Sequence, residues 1–154
     1  MGTVTEAAVS RSRTSRLKLC GLDRPVSAAR RHAHDVLVAW GVPTELVDNA
    51  EIIVSELVTN AVQHAAPDGG AEEFGLSLRH RRLVIAVSDR APSVPPSPRP
   101  ECPAGSEAES GRGLCIVAAL ARAHGCMLSA DHKVVWAHLT VPRTSSDIPN
   151  AAAA

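Results

Sequence analysis

The twenty residues from Leu46 to Ala65 constrain this chain more than any other stretch. At about 100° per residue, Leu46, Ala50, Ile53, Leu57 and Ala61 fall on one apolar stripe, and Val47, Val54, Val58, Val62 and Ala65 widen it. That pattern predicts an amphipathic helix whose broad face is buried. Three polar side chains interrupt its border. Asn60 and His64 project within roughly 20° of Ile53, and Glu56 lies about 60° to the side. A half-buried Asn or Glu without a partner costs about 1–3 kcal/mol. A ligand, or a metal with its waters, could be that partner. Any one of the three is more often a satisfied boundary residue, and the row of three shifts the balance toward a site.

The segments around this helix set its context. Residues 1–14 are small and polar and read as a loose tail. Arg16 to Cys20 alternates like a short strand. Asp23-Arg24-Pro25 opens a helix that runs to about Trp40 and stops at Gly41. Thr44 reads as the N-cap of the second helix, with Glu45 and Asp48 near its positive end, and Pro67-Asp68-Gly69-Gly70 breaks it. Phe74 to Leu78 and Leu83 to Ser88 read as paired strands around a turn at Arg79 to Arg82. Residues 90–110 hold six of the eleven prolines, the composition of a long functional loop. A third helix is expected from Leu114 to about Ala123. Strands follow at Met127–Ser129 and Val134–Val141, with a turn at Asp131-His132-Lys133. Residues 143–154 end in four alanines and read as a disordered tail. Grouped helices and strands predict a two-layer α/β (α+β) sandwich: a mixed, mostly antiparallel sheet of about five strands with three helices on one face. One domain is expected over 15–142.

Composition excludes several function classes. Sixteen basic residues balance sixteen acidic ones, so no bulk charge favours direct nucleic-acid binding. Trp40, Trp136 and Phe74 are the only aromatic residues, too few for a base-stacking platform. No apolar run reaches the roughly 18 residues of a membrane span. No apolar segment follows Arg11, Arg13 and Arg16, so neither signal peptide nor membrane partner is expected. Cys20, Cys102, Cys115 and Cys126 form no CxxC pair and are expected as reduced cytoplasmic thiols.

Two further features carry chemistry. Asp89 follows the apolar run Leu83–Val87. There its carboxylate could accept from an exocyclic amine such as that of adenine, although Asp after a strand is usually a turn residue. Gly111-Arg112-Gly113 leads into the third helix. Free backbone amides at a helix start attract phosphate, glycine allows close approach, and arginine adds bidentate charge. A plain flexible lead-in to the helix explains the pair equally well.

Taken together, Glu56-Leu57-Val58-Thr59-Asn60-Ala61-Val62-Gln63-His64-Ala65, Val87-Ser88-Asp89-Arg90-Ala91-Pro92 and Gly111-Arg112-Gly113-Leu114 resemble the N-box, the following box and the second glycine box of the gyrase/histidine-kinase (GHKL, Bergerat-fold) ATPases. The form is similar to the anti-sigma-factor serine/threonine kinases and the related actinobacterial regulators. The resemblance extends from Ala28 to Ala137. It implies that Asn60 holds Mg²⁺ against the ATP phosphates and that Glu56 is the general base for a protein hydroxyl. Asp89 would bind the adenine amine, and Gly111, Arg112, Gly113 and Leu114 would lie at the phosphates. His64 and Lys133 would flank the pocket, and residues 90–110 would form its lid. The ligand set implied is ATP with Mg²⁺, which prefers oxygen ligands and retains waters.

Implied partners are an anti-sigma-factor antagonist and possibly a sigma factor. The implied state is a homodimer through the first strand and helix. The sequence departs from the pattern at Ala91 and Ser93, which replace lid glycines, at His124, and at His132 in the last turn. A binding module that keeps ATP without catalysis is the alternative. A histidine kinase core is expected less, for want of a phosphoacceptor helical domain before the ATP domain, and a gyrase-like ATPase less still, for want of a transducer.

Overall fold

Helical and alternating periods in this chain resolve into two layers. The computed structural model describes residues 12–63, 70–90, 109–129 and 131–143. In chain order these form β1 (Arg13–Lys18), α1 (Pro25–Ala39), α2 (Thr44–Gln63), β2 (Ala71–Arg79), β3 (Arg82–Asp89), α3 (Glu109–Leu120), β4 (Ala123–Leu128) and β5 (Lys133–Thr140). The sheet order is β1-β2-β3-β5-β4, and all four pairings are antiparallel. The expected α/β sandwich of five strands and three helices is present. α2 lies across β2, β3 and β5, α1 covers β1 and β2, and α3 reaches β4.

The core forms where the two periods meet. Phe74, Leu76, Leu83, Ile85, Val87, Val135, Ala137 and Leu139 alternate inward from three neighbouring strands and are buried. Against them lie Val47, Ala50, Ile53, Val54, Leu57, Val58 and Ala61, the stripe read from the sequence. Burying such a helix face removes aliphatic surface from water at about 25 cal/mol per Å².

Local chemistry accounts for the element ends. Pro25 takes the first position of α1. Gly41 at φ +73° ends it, with the Gly41 amide on the Val38 carbonyl and the Val42 amide on the Leu37 carbonyl, a Schellman cap. Thr44 is the first residue of α2, not its cap. The Pro43 carbonyl accepts the Leu46 and Val47 amides instead. The β2–β3 hairpin turns on His80 and Arg81, at φ +48° and +64°. Positive φ at both central residues matches the right-handed strand twist, although non-glycine residues there are strained.

Three boundaries and the state of one thiol stand out against expectation. β1 begins at Arg13, inside the segment expected as tail, because the edge strand pairs from Arg13 opposite Leu78 to Lys18 opposite Glu73. α3 begins at Glu109 and takes Gly111 and Gly113 into its first turns. β4 begins at Ala123, four residues early, because its pairing with β5 and not its hydropathy defines it. Gly125 is required there, since a Cβ would stand 2.8 Å from Cζ2 of Trp136. Last, Cys115 is disulfide-bonded while Cys20 and Cys126 are free, so the expectation of reduced thiols fails at Cys115. Sequence spacing does not report which thiols meet in space. The lid expected over 90–110 lies outside the described residues except for Arg90, Glu109 and Ser110. The tail expected over 143–154 is described only at Arg143.

Candidate functional site

The site is built from the C-terminal half of α2, the start of α3, and the adjoining ends of β3 and β5. On α2, Leu57, Val58 and Ala61 turn inward, which leaves Glu56 and Asn60 half-buried at the rim. Neither side chain has a hydrogen bond or ion pair with any described residue. Gly113 of α3 lies directly against the Glu56 carboxylate, and a Cβ at Gly113 would collide with Glu56 Oε2. This glycine therefore clears space for a carboxylate within the helix layer. Leu114 follows it, half-buried. Gly111 and Arg112 lie in the same first turns of α3, and the Arg112 side chain is outside the described set. His64 lies outside the described residues as well.

Asp89 closes β3 and is fully buried. It is not a turn residue: the inward alternation of Leu83, Ile85 and Val87 carries it into the core. Register places Lys133, the first residue of β5, directly opposite. Its Nζ stands 3.3 Å from Asp89 Oδ2, and its side chain is 4% exposed. Sequence reasoning named both residues but not their pairing. The available signal was a lysine at an inward position of an otherwise apolar alternation, Lys133, Val135, Ala137 and Leu139. Cys126 of β4 is electrostatically coupled to the same pair. Burial pushes its thiol up, the Lys133 charge pulls it down, and Asp89 pushes it up further.

Sequence reasoning missed a second polar anchor beside the pair. Glu72 of β2 reaches Arg90 Nε at 2.7 Å with one oxygen and His132 Nε2 at 3.0 Å with the other. It ties the end of β3 to the turn before β5. A surface cavity of about 850 Å³ opens there, lined by Lys18, Cys20, Val62, Glu72, Arg90 and His132 among others. It includes none of Glu56, Asn60, Asp89 and Lys133, so it is a separate concavity.

This arrangement suits a nucleotide with a divalent cation. Asp89 offers a fixed acceptor on the sheet, while Glu56 and Asn60 offer unclaimed oxygens at the helix layer. Among the described residues, no cluster of three His, Cys, Asp or Glu side chains could hold a metal on its own. A cation here would need ligand oxygens from a bound molecule, which is how Mg²⁺ sits on phosphates. Among the described residues no helix is long and apolar enough to cross a membrane.

Comparison with known proteins gives a consistent picture. Residues 22–138 match the family model described as the histidine kinase-like ATPase domain. No curated protein matches the sequence. Among solved structures, the chain is similar to the RsbU and RsbW domains of Rv1364c from Mycobacterium tuberculosis, with a TM-score of 0.64 and 18% identity. The match covers 86% of this chain and 33% of that one, so the chain spans about a third of its neighbour's length. At this identity the likeness concerns the fold.

Proposed function

The chain belongs to the histidine kinase-like ATPase family, and from that premise we propose that it is an ATP- and Mg²⁺-dependent serine/threonine-protein kinase of anti-sigma-factor type. In this reading it phosphorylates an anti-sigma-factor antagonist and controls transcription by exchanging that partner for a sigma factor. The protein works in the cytoplasm as a homodimer. What supports the reading most is the placement of Glu56. Its carboxylate is half-buried, lies against Gly113 at the start of α3, and is unclaimed by any described residue. Nucleotide binding alone does not call for such a group. Similarity of the fold to a structure that contains an RsbW domain agrees with it.

In the mechanism this implies, Asp89 accepts a hydrogen bond from the adenine amine. The start of α3, with Gly111, Arg112, Gly113 and Leu114, receives the phosphates. Asn60 would hold Mg²⁺, which would supply neutralisation of the phosphate charge. Glu56 takes the proton of the substrate hydroxyl as its oxygen bonds to the γ-phosphorus and ADP departs. Phosphoryl transfer needs little beyond such positioning, charge neutralisation and a base at the nucleophile. His64 and Lys133 flank the pocket. A second reading, an ATP-binding partner switch without catalysis, is favoured by Ala91 and Ser93 where lid glycines are usual.

Labelled ATP separates the two readings. The protein is incubated with Mg²⁺, labelled ATP and candidate antagonist proteins. Glu56→Gln is expected to retain ATP binding by calorimetry and to lose transfer. A variant that transfers phosphate as fast as wild type would remove the base assignment. Binding by wild type without transfer to any partner would favour the non-catalytic switch.

A further inference from the structure

The pairing of Lys133 with Asp89 calls for an explanation of its own. Lys133 is 3% exposed and Asp89 is fully buried, yet the other inward residues of β5 are apolar. Burying two charges costs several kcal/mol per ion before their attraction offsets it, and an apolar replacement of such a pair is often as stable or more so. Packing alone therefore gives little reason for a lysine at this position. Its ammonium lies 3.3 Å from one carboxylate oxygen, close enough to favour the charged form of Asp89 against the desolvation that disfavours it.

We propose that Lys133 is a positioning residue: it holds Asp89 as an ionised carboxylate, and so makes this position select a purine with an exocyclic amine over one with a carbonyl. The inference rests on the nucleotide reading above and assigns Lys133 to the carboxylate, not to the phosphates. An ionised carboxylate is an acceptor only, whereas a protonated one also donates. The C6 amine of adenine donates, and the C6 carbonyl of hypoxanthine accepts. Charged Asp89 therefore rewards the first and repels the second. Neutral Asp89 accommodates both.

Among the described residues, the other titratable groups near Asp89 carry no positive charge turned to it. Cys126 of β4 is a half-buried thiol. Glu72 of β2 is turned to Arg90 and His132. Glu56 of α2 lies against Gly113, and the described side chains of α3, from Gly113 to Leu120, carry no charge.

The test compares ATP with inosine triphosphate, both with Mg²⁺, by calorimetry on the full chain and on Lys133→Met. Melting without nucleotide is followed in parallel. Wild type is expected to favour ATP by about tenfold or more, the worth of one charge-assisted hydrogen bond, with a ratio flat in pH. In Lys133→Met the ratio falls toward one and recovers as pH rises, because a buried carboxyl without a cation beside it is held neutral at lower pH. The sign for stability is the opposite. A carboxyl whose folded pKa is raised contributes stability at low pH and loses it as pH climbs through that value. Nucleotide-free Lys133→Met should therefore melt progressively below wild type as pH rises.

If both affinities fall together at an unchanged ratio, Lys133 is structural only and the proposal is wrong. A wild-type ratio near one overturns it without any variant, even if Lys133→Met fails to fold. Wild type that binds neither triphosphate removes the nucleotide reading and the selectivity with it. The pH-dependent melting of the variant then still judges whether Lys133 controls the charge of Asp89.

Discussion

The two carboxylates of the site live in opposite conditions. Asp89 is fully buried, fixed by its strand, and 3.3 Å from the ammonium of Lys133. Glu56 is half-buried on α2, rests on the backbone of Gly113, and meets no partner among the described residues. The sheet end is closed and its charge is compensated. The helix end is open and its charge is left available. Under the proposed function the division has a reason. Recognition of a base needs an acceptor that does not move, and proton transfer needs a carboxylate free to meet a changing partner. A buried pair need not stabilise the fold, although breaking one side of it is costly.

The sharpest way to break this comparison is to remove the charge at the closed end. Asp89→Asn leaves the Lys133 ammonium buried without its carboxylate, and breaking one side of such a pair costs about 3–5 kcal/mol. ATP affinity is expected to vanish with it, since the remaining amide can present its NH₂ to the amine. Denaturant unfolding and calorimetry read the two effects separately. Retained wild-type affinity would remove Asp89 as the adenine acceptor, and a variant as stable as wild type would show that the closed end owes little to the pair.

At the open end the expected loss is in rate. Gly113→Ala puts a methyl group in collision with Glu56 Oε2. The carboxylate must shift, and displacement of a reacting group by about 1 Å can cost about 10²-fold. Transfer should fall by that order, and by more than ATP affinity does, since the start of α3 also receives the phosphates in the proposed mechanism. Combining Gly113→Ala with Glu56→Asp, whose shorter side chain clears the methyl, should recover part of the rate. If affinity and rate fall together, the glycine serves the nucleotide and not Glu56. A smaller effect is expected for Glu56→Gln on stability, within about 0.5 kcal/mol, because no described partner is lost. A large destabilisation there would mean that the open end is not open.

The two ends also differed in how much of them could be read beforehand. Glu56 and Asn60 were legible because they share one helix with the residues that define its face, so a local period placed them. The sandwich was legible for the same reason, from α2 and the alternation in β3 and β5. The Asp89–Lys133 pair was not, since it depends on register between strands that are adjacent in space but separated in sequence by α3 and β4. The contact of Gly113 with Glu56 depends on how two helices cross. β4 was misread because Ala123-His124-Gly125 has no strand-like hydropathy. Its place follows from β5 and from the Trp136 ring over Gly125. Short-range pattern thus gave the open end, and long-range pairing made the closed one.

The smallest effect is read at Cys126, a free thiol that senses the closed end from outside it. Burial raises its pKa, Lys133 lowers it and Asp89 raises it. Lys133→Met should therefore push the thiol further up, and Asp89→Asn should bring it down. Since only the thiolate is alkylated, the rate at a fixed pH should drop in the first variant and rise in the second. Peptide mass spectrometry separates Cys126 from Cys20, the other free thiol among the described residues, which serves as an internal reference. Equal shifts at both cysteines would report general loosening of the fold. Opposite shifts at Cys126 alone would show that the two buried charges act on their surroundings as separate, opposed sources, which is the condition under which one can hold the other ionised.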